Sequence, residues 1–241
     1  MFISAVRAFR AVVALLVAAL VVQGPSHSAA AEPYDLYAVV SLTGQGAFIG
    51  KGEETAFRAA ETVINSTGGI HGRPVRFVVQ DDQTNPAVAV QLFNAIVAKN
   101  VPVMFGPTLA GPCYAVQPLV KTQIVNYCLS PALHPPAGSY SFSASASTVD
   151  LVSTALRFLH ARGVRKLALL QTTDASGQDG ETVIGEDLKL PEFADMQVVD
   201  DEHFAPADLS VDAQIQRIKA SGAQAIISWI SGSPFGRCVA A

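Results

Sequence analysis

Three cysteines, five histidines and the adjacent acids Asp81 and Asp82 are the residues of this 241-residue chain with the most evident chemistry. Cys113 stands at the start of an expected helix just after one strand, and Cys128 ends the next strand. If those strands are neighbours, both thiols lie near one sheet edge. In an oxidising compartment they would form a disulfide, and otherwise they remain two buried thiols; both outcomes stay open on the sequence alone. Cys238 is left unpaired in the tail. His71, His134, His160 and His203 share no metal-ligand spacing, so no metal site is expected. Asp81 and Asp82 leave the end of a strand, where adjacent side chains point to opposite sides, so they make a poor acid–base pair. Turn formation and helix capping suit them better. Gly44, Gly46, Gly50 and Gly52 sit where a dinucleotide fingerprint would lie, but Ile49 occupies the position of its third glycine. No P-loop lysine motif and no G-x-S-x-G elbow occurs. The expectation is a chain without cofactor or enzymatic activity.

The elements that must position these residues alternate between strand and helix. Leu36–Ser41 reads as a strand followed by a glycine-rich loop, Thr43–Gly52. A helix follows, with Ala56, Phe57, Ala60, Val63 and Ile64 on one face. It stops at Gly68-Gly69, where left-handed backbone is easiest for glycine. Val75–Gln80 is the next strand. Asn85-Pro86 offers an N-cap and first-turn proline for a helix burying Val88, Leu92, Ala95 and Ile96. Strand Val101–Phe105, helix Pro112–Thr122 and strand Ile124–Cys128 continue the series. Tyr140–Ser147 is extended and polar, which suits a crossing between lobes. Thr148 then caps a helix with Leu151, Val152, Ala155, Leu156 and Leu159 inward. Lys166–Gln171, Met196–Asp200 and Ala225–Ile230 are strands; a weak helix follows Gly180, and Ser210 caps another with Ile215 and Ile218 inward. Such alternation predicts an α/β fold with a doubly wound parallel sheet. Ligands of such sheets lie beyond the carboxyl ends of the strands. That rule selects the loops 42–50, 81–85, 106–112, 130–136, 172–179 and 231–234, and it places His134 on the ligand side.

Composition agrees with a folded domain: half the residues are hydrophobic, 15% are charged, and the net charge is -4. An acidic balance argues against nucleic acid as a partner. At the N-terminus, Arg7 and Arg10 precede the apolar run Ala11–Val22 and the small residues Ser28-Ala29-Ala30-Ala31. This order reads as a secretory signal peptide over residues 1–31, cleaved near Ala31, which predicts export. The run is too short to span a bilayer, which takes roughly 20 apolar residues.

One stretch has a specific pattern: Ser41-Leu42-Thr43-Gly44, Gly50, Ile64-Asn65, Gly68-Gly69-Ile70-His71-Gly72-Arg73, and Val78-Val79-Gln80-Asp81-Asp82. It resembles the opening of the periplasmic substrate-binding proteins of branched-chain amino acid ABC transporters. Gly106-Pro107-Thr108 and Ser130-Pro131-Ala132 resemble that family's next two cleft loops, and the likeness runs to about residue 236. The resemblance implies a type I periplasmic-binding-protein fold, with two doubly wound lobes closing on a ligand. The expected division is 32–145 for the first lobe and 146–241 for a partial second lobe, because family members continue well beyond this C-terminus. It implies a small-molecule ligand, an amino acid or an aliphatic or aromatic carboxylate, delivered to ABC transporter permease subunits. Carried over by position, the ligand's polar head falls to Thr43, to Thr108, Leu109, Ala110 and Gly111, and to Ala132 and His134, with the helix from Pro112 pointing at it. The second lobe closes through Ser176, Gly177 and Ser231, and Asp174 either accepts an ammonium group or shapes a turn. Ala110 replaces the usual serine, and Ile49 and Ser176 stand where amino acid binders often carry tyrosine. These departures favour an aromatic or aliphatic acid. A ligand sensor of the same fold and an inactive truncated remnant are the alternatives to transport.

Overall fold

The computed structural model describes residues 32–231. The expected signal peptide and the segment containing Cys238 lie outside the described residues. Two parallel sheets carry the fold. The first contains β1 (Tyr34–Val40), β2 (Val75–Asp81), β3 (Val103–Phe105), β4 (Val125–Cys128) and β5 (Ser141–Ser143), in the order β2-β1-β3-β4-β5. The second contains β6 (Lys166–Thr172), β7 (Gln197–Phe204) and β8 (Ala225–Trp229), in the order β7-β6-β8. Every paired strand is parallel. Helices α1 (Ala47–Ser66), α2 (Pro86–Val97) and α3 (Ala110–Val116) pack on the first sheet. Helices α4 (Thr148–Ala161), α5 (Ala175–Asp187) and α6 (Asp212–Ala220) accompany the second. Strand order reverses beside β1 and beside β6, and ligand crevices form at such reversals.

Several boundaries differ from the sequence expectation, each for a local reason. Tyr140–Ser147 is not wholly a crossing: Ser141–Ser143 pairs with β4 as a fifth strand. The glycine-rich loop ends at Gly46, and Gly50 and Gly52 lie inside α1. Gly50 is required there by proximity, since a Cβ would fall 2.1 Å from the Ser41 carbonyl oxygen. The α1 face rotates accordingly: Phe57, Ala60 and Ile64 turn inward, while Ala56 and Val63 are exposed. In α2 the buried residues are Ala89, Phe93 and Ile96, not Val88, Leu92 and Ala95. Helix α3 starts at Ala110 and runs only to Val116; Pro118 then confines the chain to a 3-10 turn, Gln117–Leu119. Ser147, not Thr148, caps α4 by accepting the Asp150 N–H, and Leu151 on that helix is exposed toward the cleft. Helix α5 starts at Ala175, before Gly180, because Asp174 caps it. Strand β7 extends to Phe204.

Two apolar layers flank the first sheet. Tyr37, Val39 and Met104 pack against Ala89, Phe93, Ile96 and Ile124 on one face. The other face carries a row of rings, Phe57, Phe77, Phe105, Tyr127 and Phe142, with neighbouring centroids 4.7–6.0 Å apart. In the second unit, Leu167 and Leu169 pack against Val152, Leu156, Ile184 and Phe193. Ala168 and Leu170 pack against Phe204, Ile215 and Ile218 on the reverse face. Each large apolar side chain so buried contributes about 1.5–3 kcal/mol.

Candidate functional site

The loops beyond β1, β2 and β3 are tied together by buried hydrogen bonds. Ser41 donates its N–H to Thr108 Oγ1 at 2.9 Å and its hydroxyl to Asp82 Oδ1 at 2.7 Å. Asp81 points the other way, accepting the Leu42 and Thr43 N–H groups and the Thr43 hydroxyl. The two carboxylates also accept the Gln83 and Thr84 N–H groups, which is the expected turn role. Capping of α2 falls to Asn85, with Pro86 in its first turn, as the sequence indicates. Burial works to raise the Asp81 carboxyl, but hydrogen bonds from Thr43, Gln83 and Leu42 outweigh it and hold it low. Burial raises the Asp82 carboxyl despite its two hydrogen bonds.

Thr108 is 2% exposed, and its hydroxyl is fully engaged. It accepts from Ser41 and donates to Glu53 on α1 at 2.6 Å. That proton is therefore committed to Glu53. Burial pushes the Glu53 carboxyl up, against the pull of the Thr108 hydrogen bond. Cys113 and Cys128 form a disulfide, their Cα atoms 5.9 Å apart. It joins the start of α3 to the end of β4, which fixes the spacing of the loops after β3 and β4. Tyr114 donates its hydroxyl to the Ala132 carbonyl at 2.5 Å.

On the second unit, Asp174 accepts the Gly177 N–H at 3.0 Å, the Thr172 hydroxyl at 2.8 Å and the Ser231 hydroxyl. A carboxylate so engaged acts as a cap and loop brace, the second of its two expected roles. Gly177 lets α5 approach β6, since a Cβ there would meet the Thr172 carbonyl oxygen at 1.7 Å. Two residues further along α5, Asp179 meets His134 Nε2 at 2.7 Å. This pair joins the loop after β4 to the second unit. It gives His134 a bridging contact that the sequence does not reveal.

Between the two units lies a cavity of about 270 Å³. Four residues expected from sequence line it: Thr108, Leu109, Ser176 and Ser231. Thr43, Ala110, Gly111, Ala132, His134, Asp174 and Gly177 are not among the lining residues. Ile49 on α1 lines it, as do Leu129, Ser130 and Pro131 after β4. Leu151, Ser228, Trp229 and Ile230 complete the lining. Trp229, the sole tryptophan of the chain, is placed by Gly180, where a Cβ would lie 2.3 Å from the indole ring. Strand periodicity alone marks Trp229 as core, and only its position at the end of β8 signals the cleft. No charged side chain is among the lining residues.

Two parallel α/β units facing each other across a cleft at their strand reversals define a two-lobed ligand-binding architecture. Residues 38–241 match the family model described as periplasmic binding protein, and the chain belongs to that family. It is 26% identical over 215 residues to the leucine-, isoleucine-, valine-, threonine- and alanine-binding protein of Pseudomonas aeruginosa, covering 87% of this chain and 57% of that protein. The fold resembles an extracellular ligand-binding receptor from Verminephrobacter eiseniae, with TM-score 0.72 and 20% identity over 81% of this chain and 57% of the other. It also resembles an R. palustris ABC transporter solute-binding protein in complex with 4-hydroxybenzoate, with TM-score 0.67 and 22% identity over 83% and 54%. The chain thus spans a little over half the length of these relatives. The relatives so named are binding proteins.

Proposed function

We propose that this chain is the exported, periplasmic ligand-capturing part of an ABC importer, and that its solute is a small carboxylic acid with an aromatic or aliphatic body. The observation that carries the ligand class is the cavity lining. Ile49, Leu109, Leu129, Pro131, Leu151, Trp229 and Ile230 offer an apolar bed. Ser130, Ser176 and Ser228 face it with hydroxyls that can donate to a ligand. Ser130 Oγ accepts the Ala132 N–H and keeps its own proton for a ligand oxygen. An α-amino acid also needs an acceptor for its ammonium group, and an unpaired buried charge costs several kcal/mol. Asp174, the acid expected for that task, is occupied by three donors. The 4-hydroxybenzoate held by the R. palustris relative supports the same class. The binding specificity named for the P. aeruginosa relative favours a second reading, an aliphatic amino acid.

In this reading residues 32–145 form one lobe and 146–241 contribute the other. Ser130, Leu109 and Ile49 hold the ligand from the first lobe, and Ser176, Trp229 and Ser231 close over it. Closure is a hinge motion about the connection that enters α4. The His134–Asp179 pair and the Thr148 N–H donated to the Pro131 carbonyl join the two sides in the closed form.

Trp229 supplies the assay. Titrating the full chain with benzoate, 4-hydroxybenzoate, hexanoate and leucine while following tryptophan emission should give a saturable change with the acids and a weaker one with leucine. Tighter binding of leucine would transfer the function to the second reading. No saturable change with any of them would refute a competent cleft in this chain.

A further inference from the structure

A second polar cluster lies outside the cleft, where α5 crosses the edge strand β7. Asp201 and His203 are two residues apart on β7, so both project from one face. Glu181 reaches them from α5. His203 Nε2 is 3.3 Å from Glu181 Oε2 and 3.9 Å from Asp201 Oδ1. One ligand atom from each of the three lies within 4.8 Å of the others. Around a zinc ion with bonds near 2.1 Å, tetrahedral ligand atoms are about 3.4 Å apart. Side-chain shifts of about an ångström close the difference, and all three side chains are exposed enough to make them.

An independent feature sits beneath the cluster. Gln171 on β6, opposite His203 in the sheet register, is completely buried. Its amide is aimed at the cluster: Nε2 donates to Asp201 Oδ1 at 3.3 Å. Its Oε1 has no partner among the described residues, which an interior acceptor rarely tolerates. A water on a metal ion would supply the missing donor, and a group that orients a metal ligand from behind is the usual companion of such a site. A cavity of about 440 Å³ has Glu181 and Asp201 in its wall.

We infer that Glu181, Asp201 and His203 form a binding site for a divalent transition-metal cation of the zinc class. One imidazole with two carboxylates suits a borderline cation, whereas calcium and magnesium prefer all-oxygen sets. The ion would pin the middle of α5 to β7. The first turns of the same helix carry Ser176 in the cavity wall and Asp179 in the bridge between lobes. Asp201 is local to His203 on β7, and only the fold brings Glu181 to the pair.

The test is calorimetric titration of the full chain with zinc chloride. One equivalent should bind saturably, and His203→Ala and Glu181→Gln should each weaken it about tenfold or more. His160→Ala, at a residue paired with Asp195 elsewhere, should leave it unchanged. The two variants lie on different elements at exposed positions, so misfolding of one, read by circular dichroism, leaves the other to decide. Absence of a one-equivalent phase, or parental affinity in either folded variant, would overturn the site and leave only an adventitious surface ion.

Discussion

Breaking the Cys113–Cys128 bond should lower both the stability of the fold and the ligand affinity of the cleft. The two residues are 15 apart in sequence. Closing a loop of that size removes about 3 kcal/mol of unfolded-chain entropy at 25 °C in the chain-entropy treatment. The described region holds about 200 residues, and at about 2.1 cal/mol/K per residue its unfolding entropy is about 0.4 kcal/mol/K. A double substitution, Cys113→Ser with Cys128→Ser, should therefore lower the melting midpoint by about 7 °C. Both sulfurs are buried beside Leu133, so the serine hydroxyls add a desolvation cost and the observed drop should not be smaller. The measurement is a thermal melt of the parent and of the variant, each with and without reductant. Reductant should reproduce most of the drop in the parent and do nothing to the variant. The bond also spaces Leu109 from Leu129 across the cavity mouth, so ligand affinity should fall with stability. Complete reduction of the parent is established by titrating the thiols of Cys113 and Cys128 before the melt. A midpoint unmoved after both thiols have titrated would refute the reasoning.

Gly180→Ala places a methyl group against Trp229. The overpacking costs about 1–3 kcal/mol and offsets the roughly 1 kcal/mol gained in helix propensity. Net stability should fall by up to about 2 kcal/mol, tryptophan emission should shift and ligand affinity should drop, the last two read in one fluorescence titration. Glu53→Gln keeps an acceptor for the Thr108 hydroxyl and removes a charge that burial disfavours. Because the folded state holds the Glu53 proton to higher pH than the unfolded state, ionisation costs the parent stability as pH rises above the ordinary carboxylate value. The variant should melt higher than the parent at pH 7, and the gap should close as pH falls to about 4. Asp179→Ala removes the bridge to His134. Losing a hydrogen bond to a charged group costs about 1.5 kcal/mol, so ligand affinity should weaken about tenfold, chiefly through a faster off-rate in stopped-flow measurements.

Much of this protein is legible in the residues themselves. The alternation of strand and helix, the Asn85-Pro86 start of α2, and the loops beyond the strand ends follow from periodicity and capping, which act within a few residues. The family pattern from Ser41 to Asp82 is likewise local text. The residues whose roles the sequence leaves open are those that depend on a distant partner. Thr108 has the hydroxyl expected of a ligand contact, yet Ser41, 67 residues away, and Glu53, 55 residues away, engage it. Asp174 keeps both of its expected roles open until Ser231, 57 residues on, donates to it. His134 acquires its bridge only when α5 brings Asp179 across. Trp229 and Leu151 carry the pattern of core residues, and the meeting of two lobes turns them toward a cavity. The sequence by itself determined most of the elements and which loops lie beyond the strand ends, because short-range sterics and hydrogen bonding decide those. Tertiary structure alone decided which polar groups remain free to bind, because a hydroxyl or carboxylate is available only when no partner elsewhere in the chain has already paired with it.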